Sequence, residues 1–273
     1  MARALFIAAF FFTMTPLLIL IQWLLGKLGL PGWGFIATGY YRLLCSLLRI
    51  RVRVSGVPVR NRAVLFVSNH VSWADILVIG SLAPVAFVAK HEVRDWPLVG
   101  ITAKLQRTVF VDRTRRHQTG NAVAEIVKRI ESGVSVVLFA EGTSSDGNRV
   151  LTFRTALIGA ASDTVTDVVD VKRVWIQPLS IAYTALRGLP LGRPNRSTVA
   201  WYGSMSLLPH LRRLVAQGAI DVIVSWGEPV PYDPSSDRKV VARRLEECVR
   251  AMTVASLRGR DRSHPIRVGQ DSL

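Results

Sequence analysis

The stretch from Ala4 to Gly26 carries no charged residue and is dominated by Leu, Ile and Phe. That is about the ~20 residues needed to cross a hydrocarbon core, and no other feature constrains the chain as much. Pro16 would kink or break a helix there, so a re-entrant or shallow hairpin competes with a full span. A cleaved signal peptide fits poorly, because the run is long for one and no small-x-small site closes it. The plainer alternative is a buried core helix.

After the break at Leu30-Pro31-Gly32, a second segment runs from Phe35 to Leu48. Arg42, Ser46 and Arg49 recur at helical spacing on one face, and Leu43, Leu44, Leu47 and Leu48 cover much of the rest. A helix lying among lipid headgroups has this pattern, as does a surface helix on a soluble core. Trp23, Trp33, Tyr40 and Tyr41 stand where interfacial aromatics are expected. Arg3 precedes the first run, whereas Lys27, Arg42, Arg49, Arg51 and Arg53 follow it, and this bias leans towards a body on the cytoplasmic side of the inner membrane.

Lys plus Arg outnumber Asp plus Glu by 35 to 19, a net charge of +16. Such a balance suits an anionic partner, either nucleic acid or an anionic membrane face. The apolar N-terminal end argues against nucleic acid. Two cysteines far apart, Cys45 and Cys248, give neither a disulfide framework nor a metal-ligand pair.

From Arg51 onward, strand-like runs alternate with helical ones, which predicts an α/β fold with a mixed central sheet flanked by helices. Strands are expected at 52–54, 63–68, 85–89, 108–111, 134–139, 175–182, 199–201 and 220–226. Helices are expected around 76–82, 98–105, 119–131, 155–161, 207–216 and 238–257. The expected organisation is a membrane-associated helical hairpin over 1–49, a catalytic domain over 50–257, and a basic tail without structure over 258–273. No G-x-G-x-x-G and no P-loop are present.

Four stations carry candidate chemistry. Asn69-His-Val-Ser-Trp-Ala-Asp75 links an apolar run to a helix. If the loop folds back, Asp75 can accept from one ring nitrogen of His70 and leave the other as a base. Thr108-Val-Phe-Val-Asp112-Arg113 is a short strand ending on an Arg that could offer a fork to a phosphate or carboxylate. In Val137-Leu-Phe-Ala-Glu141-Gly142-Thr143-Ser144, a buried strand runs into a Glu that could bind a hydroxyl or buttress the site, and the Gly lets backbone approach a ligand. The fourth, Trp175-Ile-Gln-Pro178-Leu-Ser-Ile-Ala-Tyr183, holds a proline that predicts a sheet edge or a bulge.

In this order the stations resemble the signatures of the glycerolipid (lysophosphatidate-type) acyltransferase family: an N-H-x-x-x-x-D box, a strand ending in Arg, an F-P-E-G-T box and a proline strand. They read here as Asn69-His70 to Asp75, Phe110 to Arg113, Phe139 to Thr143, and Ile176 to Pro178. Phe87 to Lys90, Trp201 to Gly203 and Ile220 to Val222 also resemble the subgroup that acylates lyso-ornithine lipid. The resemblance implies an O-acyltransferase that moves a fatty acyl group from acyl carrier protein or acyl-CoA to a lysolipid hydroxyl. It implies His70 and Asp75 as catalytic residues, and Asn69, Arg113, Glu141, Gly142 and Thr143 as substrate-binding ones. No metal and no cofactor are expected.

Two departures stand out. Ala140 replaces the usual Pro, and Ser144 stands where enzymes acting on phosphate-bearing acceptors usually have Arg. A phosphate monoester would lose a bidentate partner there, so a less anionic lysolipid is favoured, with 1-acylglycerol-3-phosphate the alternative. No G-x-S-x-G elbow occurs, so a covalent acyl-serine is not indicated.

Overall fold

The computed structural model describes residues 2–30, 32–111, 118–155, 158, 174–232, 237–260 and 264–265. Helices α1 (Ala2–Lys27) and α2 (Trp33–Leu47) form an N-terminal pair. Helix α1 continues through Pro16. It is long and apolar enough to cross a membrane, the sole such helix among the described residues. Leu5, Phe6, Phe12, Leu17, Leu20, Trp23 and Leu24 are all exposed on it. The two helices are joined by a hydrogen bond between the Thr15 and Tyr40 hydroxyls. At the start of α1, the Arg3 guanidinium donates to Leu47 O at the end of α2 (3.0 Å) and to Val215 O on the body (3.1 Å). The beginning of α1 and the end of α2 therefore both sit against the body.

The body is one mixed sheet. Its strands are β1 (Ile50–Ser55), β2 (Leu65–Ser68), β3 (Val85–Lys90), β4 (Val109–Val111), β5 (Ser135–Phe139), β6 (Val174–Leu186), β7 (Leu189–Pro190), β8 (Ile220–Trp226), β9 (Val230–Tyr232) and β10 (His264–Pro265), in the order β10-β1-β8-β6-β2-β5-β3-β4. Strands β7 and β9 pair alongside β6. The pairs β2–β6, β2–β5, β5–β3 and β3–β4 are parallel, and β6–β8 is antiparallel.

Both faces are covered, which is why β2 reads as an unbroken apolar run rather than an alternating one. Phe66 joins one core with Cys45 and Leu48, with Val78 and Ile79 of α3 (Ala74–Gly80), and with Leu214 of α6 (Leu207–Gln217). Leu65 and Val67 point the other way, to Ile126 and Val127 of α5 (Gln118–Glu131) and to Leu245 and Val249 of α7 (Arg238–Leu257). Helix α4 (Val99–Leu105) leads into β4, and Gln106 just after it accepts from the Tyr41 hydroxyl of α2. Gly80 is required where α3 meets α2, since a Cβ there would enter the Tyr41 ring.

Three expectations change. Pro178 lies in an interior strand, not at an edge: β6 has β2 on one side and β8 with β9 on the other. Pairing with β8 stops at Leu179–Trp226 and pairing with β9 begins at Ile176–Val230. Pro178 falls in the gap between them, where no ladder donor is needed. Its carbonyl still accepts from Gly227 N at 2.9 Å. Residues 199–201 form no strand but follow a 3₁₀ turn (Arg193–Thr198), and Trp201 N donates to Val71 O at 2.9 Å. Val199 and Ala200 are fully buried, so their apolar character reflects burial and not a sheet. In the tail expected to lack structure, His264 and Pro265 pair antiparallel with Val54 and Arg53 on the open edge of β1. The helix expected at 155–161 lies mostly outside the described residues.

Candidate active site

The site forms where β2 and β5 end side by side, with Ser68 opposite Phe139 in parallel register. Parallel strands deliver the Asn69–Asp75 loop and the Glu141–Thr143 turn to the same edge of the sheet. Loop and turn are tied together, because Ser145 N donates to His70 O at 2.8 Å.

His70 Nδ1 and Asp75 Oδ2 are 2.8 Å apart. The same Oδ2 accepts from Val71 N (2.7 Å) and Ser72 N (3.0 Å), so the loop closes around the carboxylate. Oδ1 accepts from the Tyr183 hydroxyl at 2.7 Å. Asp75 is fully buried yet meets only donors, the arrangement a carboxylate needs away from water. It lies in the first turn of α3, where the helix dipole adds to the same preference. With Asp75 accepting, the proton on His70 belongs on Nδ1, which leaves the Nε2 lone pair for a substrate. The imidazole stacks on the Phe139 ring, centroids 4.0 Å apart and planes 19° apart. About 19% of its side chain remains exposed.

Glu141 is buried behind this pair. Its Oε2 accepts from His70 N (3.2 Å) and its Oε1 from Leu151 N (2.9 Å). Burial pushes the carboxyl up to about 8, with Asp75 and Glu246 adding to the rise and the two backbone hydrogen bonds opposing it. Both oxygens are engaged with backbone, so Glu141 buttresses the His70 loop. Gly142 follows at φ +70°, and a Cβ on it would lie 2.6 Å from Arg154 Nε. Thr143 is exposed beside it.

Of the expected site residues, His70, Asp75, Glu141, Gly142 and Thr143 come together. Asn69 is adjacent but buried, and its amide is committed at both ends: Nδ2 donates to Ile181 O and Oδ1 accepts from Ile181 N, each at 2.9 Å. It carries the β2–β6 ladder one residue past the end of β2. Arg113 lies outside the described residues. Among the described residues no cluster of His, Cys, Asp or Glu could hold a metal ion. Two contributors were not anticipated. Tyr183 stood at the end of the proline station with no role, although β6 pairing with β2 aims it at Asp75. Phe139 read as the last apolar residue of a strand, and its ring is the platform under His70.

Residues 50–182 match the family model described as Acyltransferase. The lyso-ornithine lipid O-acyltransferase of Brucella abortus is 47% identical, over 81% of this chain and 83% of that protein. The chain belongs to the acyltransferase family. This acyltransferase is also 44% identical to the lyso-ornithine lipid O-acyltransferase of Rhizobium meliloti, over 91% of this chain and 83% of that one. A crystal structure of the 1-acyl-sn-glycerophosphate (LPA) acyltransferase PlsC from Thermotoga maritima superposes with a TM-score of 0.63. The match covers 93% of this chain and 92% of that one at 22% identity, so the two share a fold.

Proposed function

We propose that this acyltransferase moves a fatty acyl group from an acyl thioester to the hydroxyl of a lysolipid, with lyso-ornithine lipid the favoured acceptor. The observation that carries the reading is the His70–Asp75 contact: a buried carboxylate saturated by donors orients a partly exposed imidazole. His70 Nε2 takes the proton of the acceptor hydroxyl as its oxygen attacks the thioester carbonyl. An oxygen–carbon bond forms, the carbon–sulfur bond breaks, and the leaving thiolate recovers the proton from His70. Asp75 stabilises the imidazolium between these events, and Tyr183 and the loop amides keep Asp75 in place. Asn69, Glu141 and Gly142 shape the loop and turn around it. Thr143 and Arg113 are assigned to substrate contact.

The acceptor rests on the two relatives at 44% and 47% identity, both lyso-ornithine lipid O-acyltransferases, and on Ser144 in place of a phosphate-binding Arg. The donor is acyl carrier protein or acyl-CoA, both anionic and suited to a chain of +16.

The N-terminal pair is the membrane anchor. Arg3 and Leu47 meet at the body, so the chain enters and leaves the apolar pair on one side, as a hairpin does. The exposed face of α1 would then lie in the inner membrane, with residues 50–257 as the catalytic domain on its cytoplasmic side.

Purified protein supplied with labelled acyl-acyl carrier protein or acyl-CoA and a panel of lysolipids tests the reading. Labelled ornithine lipid is expected as the main product. Thioester loss that is indifferent to lysolipid would instead identify a hydrolase.

A further inference from the structure

The Glu141–Thr143 turn lacks the arginine that commonly follows it, but the structure brings a guanidinium to the same turn from elsewhere in the chain. The segment leading to Arg154 runs back along the turn and is pinned on both sides. Leu151 N donates to Glu141 Oε1 at 2.9 Å, Phe153 N to Glu246 Oε2 of α7 at 3.0 Å, and Arg154 N to Ala140 O at 2.8 Å. Phe153 is buried in the core between the sheet and α7. Arg154, the next residue, is exposed, and its side chain crosses the face of Gly142 where a Cβ would stand. Among the described residues its guanidinium has no hydrogen-bond or ion-pair partner. A fixed backbone under an unpaired cation, one residue from the glutamate that supports His70, is a place for an anion.

We propose that Arg154 binds the headgroup anion of the lysolipid acceptor, the α-carboxylate when that acceptor is lyso-ornithine lipid. This rests on the acceptor reading above. The same oxyanion chemistry could come from a phosphate of the donor, but geometry separates the two. In CoA or a carrier protein the phosphate lies at the far end of the long pantetheine arm from the thioester. In the acceptor the carboxylate is only a few bonds from the hydroxyl that attacks. A cation beside Gly142 sits on the turn that is hydrogen-bonded to the His70 backbone through Glu141 and Ser145, so it matches the near anion. Gly142 then has a second use: any side chain there would displace the arginine.

The test compares lyso-ornithine lipid with its carboxyl methyl ester, in the wild type and in Arg154→Gln. The wild type is expected to lose roughly ten- to a hundredfold in kcat/KM on the ester, mainly through acceptor KM. Arg154→Gln should show the same loss on the free acid, no further loss on the ester, and an unchanged donor KM. Arg154→Lys should recover part of the loss, since it restores charge without the fork. A wild type indifferent to esterification overturns the proposal without relying on any variant's folding. A raised donor KM in Arg154→Gln, or a preference for the free acid that survives the substitution, overturns it as well. Absence of acyl transfer to every lysolipid would bring down the acceptor reading instead, a distinct result.

Discussion

Tyr183, on β6, donates its hydroxyl hydrogen to Asp75 Oδ1 at 2.7 Å, on the side of the carboxylate away from His70. Burial, and then the Asp75 charge, raise the Tyr183 hydroxyl well above its ordinary value, so it remains a donor at every working pH. The contact couples strand order to chemistry, because β6 delivers Tyr183 only by lying beside β2.

Tyr183→Phe is therefore expected to lower kcat by about tenfold with little change in either KM. A hydrogen bond to a charged group is worth ~1.5–3 kcal/mol, and this one acts only through His70. The pH–rate profile should also move, since the Asp75 carboxylate facing the imidazole loses a hydrogen bond that shares its charge. An unchanged kcat and profile would reduce Tyr183 to a packing residue.

Glu141 predicts a pH dependence of stability. Its folded value of about 8 is raised above the ordinary 4.5, so between those values the folded protein holds a proton that the unfolded chain has lost. The Glu141 contribution to stability should be complete below about 4.5, fall as pH rises, and be lost above about 8. Glu141→Gln should flatten that slope in thermal melts taken across the window. An equal slope in the variant would assign the dependence to other groups.

Gly142→Ala places a side chain at φ +70° and against Arg154. The backbone strain should cost about 1 kcal/mol in denaturant unfolding. The displaced guanidinium should raise acceptor KM as Arg154→Gln does. A variant that is destabilised but keeps its acceptor KM would separate the glycine from the arginine.

Removing residues up to Gly26 takes away α1 and the Arg3 contacts to Leu47 and Val215. Flotation with vesicles should show weaker, salt-sensitive binding. The remaining basic segments contribute about 1 kcal/mol per Lys or Arg near an anionic surface. Salt-resistant binding at the full-length level would mean that α1 is not the anchor.

The layered sheet, most of its strands and the pairing of His70 with Asp75 were legible in the sequence because each depends on local pattern. Apolar runs on covered parallel strands are continuous, and an H-x-x-x-x-D loop can close on itself. Long-range geometry was not legible. Pro178 read as an edge or a bulge because a missing N–H usually excludes regular interior pairing, and the break between the β8 and β9 pairings makes room for it. Ser144 marks the missing Arg of the turn, but no local pattern shows that the guanidinium of Arg154 reaches the same turn from ten residues beyond it. The family resemblance implied Asn69 as a substrate contact, while its amide is spent on Ile181. Tyr183 had no signal, since its role depends on strands distant in sequence becoming neighbours.

The central claim is that His70, held by Asp75, is the base that activates the acceptor hydroxyl. Its most direct test is the single-turnover rate of acyl transfer to lyso-ornithine lipid for His70→Ala, in protein whose melting temperature and vesicle binding match the wild type. The rate should fall by ~10²–10⁴; transfer within a few-fold of wild type would contradict the account.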